Sequence, residues 1–187
     1  MSAALYVVVY CVIVASRISY PYELEWMEGG SVDHVLRILS GLQLYVEPDL
    51  QFVPFIYTPL YFYVSALFSK LLGIGFFPLR MVSFLSSVGC LVILFLFVRR
   101  ETNSIECGTL SAGLYAATFK IGGSWFDIAR VDSLFMLFLL CGIYVLRSKP
   151  SNANLVRRYS DFAVLSHKAK CSICSHPLEH LLSTLPS

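Results

Sequence analysis

Residues 81–98 read MVSFLSSVGCLVILFLFV, an uninterrupted uncharged run rich in Leu, Val and Phe. A run of about 18 or more such residues is long enough to cross the hydrocarbon of a bilayer as a helix. The composition around it agrees. Of 187 residues, 14 % are charged and 57 % hydrophobic, and the mean hydropathy is +0.70. Ordinary soluble domains carry about 25 % charged residues. A soluble fold of this size could not cover its surface with so few. The net charge of +2 points to no nucleic-acid partner.

Working outward, three further segments are candidate spans: residues 2–20, 104–124 and 130–147. Their uncharged cores are short, so Arg17, Lys120 and Arg130 must snorkel at their ends. The first lacks the basic residues that open a signal peptide, since no Lys or Arg precedes Arg17, and is expected to stay as an uncleaved span. Basic pairs Arg99–Arg100 and Arg147–Lys149 mark the cytoplasmic side, which sets residues 121–130 outside. Residues 52–69 hold seven aromatic residues with Pro54 and Pro59 among them. Tyrosine at that density suits the headgroup level. An interfacial placement of 52–69 puts residues 21–75 outside and the N-terminus inside.

Within that external loop, residues 31–40 read as a short amphipathic helix. Val32, Val35, Leu36 and Leu39 recur at helical spacing, Asp33 and Arg37 pair opposite, Gly29-Gly30-Ser31 starts it and Gly41 stops it. The expected fold is therefore all-α: a polytopic transmembrane bundle of about four spans, with interfacial helices in the first external loop. Residues 1–150 form the membrane part and 151–187 a divergent, flexible tail. The tail carries Cys171 and Cys174 with His176 and His180. That spacing is too cramped for the usual zinc pairs, so no metal site and no cofactor is expected.

Two acidic clusters meet the outer surface on this topology: Glu23, Glu25 and Glu28 in YELEWMEGG, and Asp127 and Asp132 in WFDIARVD. Rim carboxylates can take a proton from an attacking hydroxyl or hold a cation, and an adjacent arginine can grip a phosphate. Solvation of a loop is the commoner use of any one such residue. Asp132 stands apart because it opens directly into an apolar run, where an idle carboxylate is costly.

The order of these pieces is familiar: ELEWMEGG, VDHVLRILSGLQLY, FIYTPLYFYVSALFSKLLG, FFPLRMVSFLSSVGCL and ARVDSLF. Across about residues 3–147 it resembles the N-terminal part of the C-type membrane glycosyltransferases, the branch related to protein mannosyltransferases and aminoarabinose transferases. The resemblance implies transfer of a sugar from a polyprenyl-phosphate-linked donor at the outer face of a membrane, the plasma membrane in a bacterium. It implies catalytic roles for Glu28, matched about a dozen positions before Gly41-x-x-x-Tyr45, and for Asp132, with Glu25 next in line. Arg130, Arg80 and Asp127 are then expected to bind substrate. The family's usual Asp stands here as Glu28, and its Pro-Pro pair as Thr58-Pro59. Such enzymes are much longer, so the chain reads as a truncated N-terminal portion whose partners would be the bilayer, the donor lipid and a missing C-terminal half. A non-catalytic membrane scaffold or subunit fits the short length. A small transporter fits Lys120 and Asp132, although no inverted repeat accompanies them.

Overall fold

A computed structural model describes residues 2–148, and they are helical, with no strand among them. The expected tail with its Cys171, Cys174, His176 and His180 lies outside the described residues. Met1–Tyr144 forms one compact unit, and the last turn of the final helix belongs to a second. Six helices follow in order: α1 (Ser2–Arg17), α2 (Met27–Leu39), α3 (Leu60–Leu72), α4 (Phe76–Thr102), α5 (Ile105–Ala117) and α6 (Asp132–Ser148).

The quoted run forms most of α4, whose 27 residues extend about 40 Å at the usual rise per residue. Pro78 sits in its first turn, where the missing N–H costs nothing. Gly73, at φ 90, turns the chain from α3 into α4. Among the described residues α4 is the one helix long and apolar enough to cross a membrane. The other three expected spans exist as helices but are shorter. The clearest shortfall is α5, whose 13 residues reach only about 20 Å. It starts cleanly because the Ser104 hydroxyl accepts the Cys107 amide. It stops at Ala117, where the chain enters the turns of residues 118–124.

Packing fixes the relative directions. Helix α5 lies between α1 and α4, with Gly113 against the backbone of Ala3 and Gly108 against that of Phe95. Small residues at such points let helix backbones approach closely. Tyr10 of α1 packs on Phe119 just beyond α5, so α1 and α5 run the same way. Helices α4 and α6 run together in the opposite sense, since Gly89 meets Leu137 and Phe97 meets Tyr144. The buried core of the first group is Tyr10, Val14, Leu91, Ala112, Ala116 and Phe119. Leu5, Val8 and Val12 of α1, Val92 of α4, Leu110 and Leu114 of α5, and Phe135 and Ile143 of α6 remain exposed.

Helices α2 and α3 pair with each other and cover the start of α4. Tyr61 donates to the Leu79 carbonyl at 3.0 Å, and Val35, Ala66, Leu79 and Ala129 share one core. Helix α2 begins four residues before the expected Ser31. Gly29 and Gly30 are inside it, not ahead of it, because a Cβ at either would collide with Glu23 or Phe55. Its end is where the sequence placed it. Gly41, at φ 72, closes the turn with its amide on Ile38. Arg37 does not pair with Asp33; it donates to the Gln43 carbonyl and lies over the Phe52 ring.

His34 locks the loop before α3 onto α2. Its Nδ1 donates to the Gly30 carbonyl at 2.6 Å, its Nε2 accepts the Phe55 amide at 2.8 Å, and Phe55 and Phe62 stack on its two sides. Only the neutral ring can accept from Phe55. Burial holds its pKa below the usual histidine value, with the Gly30 contact opposing. This contribution is complete above the unfolded value of about 6.5 and is lost as pH falls toward the depressed folded one. Thermal unfolding of detergent-solubilised protein should therefore show a Tm that falls between pH 7.5 and 5.5 by more than in His34→Gln. Equal falls in the two proteins would refute the lock.

Candidate functional site

Helices α1 and α5 end, and α4 and α6 begin, at the end of the bundle that carries α2. That is where the charged residues meet. Arg80, in the first turns of α4, is fully buried and uses all five of its N–H groups. Nε and Nη2 grip the two oxygens of Glu28 at 2.9 and 2.6 Å. Nη1 donates to the carbonyls of Tyr20 at 2.6 Å and Arg17 at 3.4 Å, and Nη2 also reaches that of Tyr22 at 2.7 Å. Glu28, equally buried, accepts two more bonds, from the Leu24 amide at 2.7 Å and the Ala129 amide at 2.8 Å. A carboxylate has about four lone-pair positions, and here all are taken. Burial alone would raise its pKa. The bonds from Arg80, Leu24 and Ala129 outweigh it and hold the carboxyl below the usual range.

Glu28 was expected at the solvent rim and Arg80 as a phosphate ligand. Both are sealed inside and neutralise each other. The charged residues next to them are less buried, Asp132 most of all. Arg130 donates from Nε to Asp132 at 2.8 Å and faces Glu25 at 3.6 Å, with its guanidinium 4.3 Å from the Trp125 ring centre. The Asp132 side chain is 49 % exposed, against 17 % for Glu25. The Ser83 hydroxyl donates to the Arg130 carbonyl at 3.2 Å and steadies this segment from α4. The two acidic clusters thus come together, joined at Ala129, although Glu28 and Ala129 are 101 positions apart.

Asp127 has a third environment. It is 2 % exposed, and Oδ1 has no hydrogen-bond partner. Oδ2 faces Arg17 Nε at 3.5 Å. Burial pushes its pKa up to about 6, with Arg17 opposing. Arg17 reads in sequence only as a snorkelling helix end. Its link to Asp127 has no sequence signal, being formed between segments more than a hundred positions apart. A cavity of about 310 Å³ opens between residues 19–21 and 72–78, and no charged side chain lines it.

A fully buried ion pair thus underlies a less buried Glu–Arg–Asp cluster at one end of an apolar helix bundle. Residues 54–156 match the family described as dolichyl-phosphate-mannose-protein mannosyltransferase, and the chain belongs to that family of membrane glycosyltransferases. The family's description implies a membrane setting and a lipid-linked sugar donor. No curated protein and no solved structure matches the chain. The superfamily resemblance noted in the sequence agrees with this result.

Removing one member of the buried pair strands the other charge, which costs about 3–5 kcal/mol. Glu28→Gln and Arg80→Gln should each sharply lower the yield of protease-resistant protein in membranes. Glu23→Gln, at an exposed position, should leave it unchanged. Normal yield and protease resistance in Glu28→Gln would show that the pair is not structural.

Proposed function

We propose that the chain carries the acidic half of the active site of a glycosyltransferase that takes a sugar from a polyprenyl-phosphate-linked donor at the outer face of the membrane. The observation that supports this reading is the half-exposed Asp132 carboxylate held by Arg130 beside Glu25. Asp132 is the general base for the acceptor hydroxyl, or the carboxylate that holds a cation there, as the sugar–phosphate bond breaks. Glu25 shares the acceptor. Arg130 holds these two carboxylates toward the substrate, and the pair keeps it from closing on either alone. Glu28, paired with Arg80, is a positioning residue: its bond to the Ala129 amide sets where Arg130 and Asp132 stand. Asp127 governs substrate binding from beneath.

The same reading makes α1, α4, α5 and α6 membrane-crossing helices, with α2 and α3 at the outer interface. Its support is the alternating helix direction and the apolar side chains left exposed on all four. The short helices tilt little and draw on the turns at their ends to reach the headgroups.

Two experiments test this. In a background free of native cysteines, Ser40→Cys should react with an impermeant maleimide on intact cells, while Asn103→Cys, between α4 and α5, reacts only after permeabilisation. The reverse pattern would invert the topology. In membranes holding the chain together with any further part of the enzyme, Asp132→Asn should lower transfer from a polyprenyl-phosphate sugar by about a hundredfold or more, in line with loss of a general base. Glu23→Gln should stay within twofold of wild type. Wild-type turnover in Asp132→Asn would end the assignment.

A further inference from the structure

Three arginines meet the acidic residues at this end of the bundle, and they differ in what their donors already hold. Arg80 has none to spare, and Arg130 stands between Glu25 and Asp132. Arg17 is different. Its side chain is 25 % exposed, its guanidinium lies 5.6 Å from the Phe119 ring centre, and its one anionic contact is the Asp127 oxygen at 3.5 Å. Among the described residues its two Nη groups have no hydrogen-bond partner. The forked geometry of a guanidinium suits two phosphate oxygens at once.

The counter-ion is equally unfinished. Asp127 is buried with Oδ1 unpartnered, a state that costs stability unless something compensates. The charged and titratable groups facing it are Arg17 and Tyr10 from α1, Glu28 from α2 and Arg80 from α4. Glu28 and Arg80 neutralise each other, so Arg17 is the cation that decides whether Asp127 carries a charge. A stronger anion at Arg17 would take that support away.

Resting on the glycosyltransferase reading, we propose that Arg17 is the anchor for the phosphate of the lipid-linked donor, and that Asp127 is its exchangeable counter-ion, taking up a proton when the phosphate binds. The surroundings favour a lipid-borne phosphate over a free one. Arg17 ends α1, whose Leu5, Val8, Val9 and Val12 are exposed, and Ile121 near Phe119 is 90 % exposed. An alkyl chain attached to the phosphate would lie beside exposed Val9 and Ile121 while its head reaches the guanidinium. Asp127, with a pKa already near 6, needs only a small further rise to stay protonated at neutral pH. One proton from solvent then replaces the Arg17 contact, and with a sugar-bearing phosphodiester, which carries a single negative charge, the local charge is unchanged.

The test uses the full chain in maltoside micelles, titrated by calorimetry with farnesyl phosphate, inorganic phosphate and farnesol. Farnesyl phosphate should bind with net proton uptake, read from runs in buffers of different ionisation enthalpy. Arg17→Gln should weaken it by about tenfold or more, as loss of a charge-assisted bond predicts, and Arg17→Lys should recover part. Asp127→Asn should bind at least as tightly as wild type without the proton uptake. Arg99→Gln, at the opposite end of α4, should bind normally. Unaltered binding in Arg17→Gln, or unaltered proton uptake in Asp127→Asn, would overturn the proposal. Equal affinity for inorganic phosphate would overturn the lipid part. If Arg17→Gln fails to accumulate, Arg17→Gln/Asp127→Asn, which removes both charges, carries the same comparison. Because binding is read without turnover, loss of transfer in Asp132→Asn leaves this result independent, and normal transfer there would sink the base while leaving Arg17 to stand or fall alone.

Discussion

The rest of the structure depends on the buried pair between Glu28 and Arg80. Taking two charges out of water is costly, and only complete hydrogen bonding and close contact offset it. Here every donor of the guanidinium and every oxygen position of the carboxylate is engaged. The partners come from four separate places: the connection after α1, the first turn of α2, the start of α4 and the link between α5 and α6. An apolar pair of the same volume could fill the space. It could not dictate where four backbone segments stand, because dispersion has no direction. The carboxylate at the N-terminus of α2 also faces the favourable end of that helix's dipole.

Beside this sealed layer lies a second, partly exposed one. Arg130 is shared by Glu25 and Asp132, and the Trp125 ring limits how far it can swing. Across both layers and Asp127, three arginines face four carboxylates, so one negative charge is in excess when all are ionised. That imbalance is concentrated at Asp127, the carboxylate with the poorest company. The site can therefore change its total charge by one proton while the Glu28–Arg80 pair stays intact.

The broad plan was legible in the sequence. Eighteen uncharged residues before Arg99 gave α4, and the stop at Gly41 and the apolar periodicity through Val35 gave α2. The order of acidic, aromatic and ARVD segments pointed to the family that residues 54–156 match. Errors arose where local signals and tertiary contacts disagree. Gly29-Gly30 looks like a helix break, yet these positions are small because Glu23 and Phe55 press on them. Arg37 and Asp33 have ideal spacing, but an aromatic ring offered Arg37 more than a solvated partner did. Glu28 and Glu25 are three apart in one acidic motif, and nothing local says that one is fully buried and the other only partly. That distinction comes from Arg80 and Ala129, which are remote in the chain.

The four bonds on Glu28 also impose an order on biosynthesis. A nascent chain emerges from its N-terminus, so α1, α2 and α4 are made well before the α5–α6 link. Arg80 lies 52 positions beyond Glu28 and Ala129 lies 101. The ion pair can close as soon as α4 has been made, but one Glu28 oxygen then lacks its last donor until the link between α5 and α6 arrives. A half-built protein holds a buried carboxylate that still has room for water. The later helices complete it, and in doing so they carry Arg130 and Asp132 into place. Assembly of the Glu25–Arg130–Asp132 cluster is thus the final act of closing a charge that was buried early.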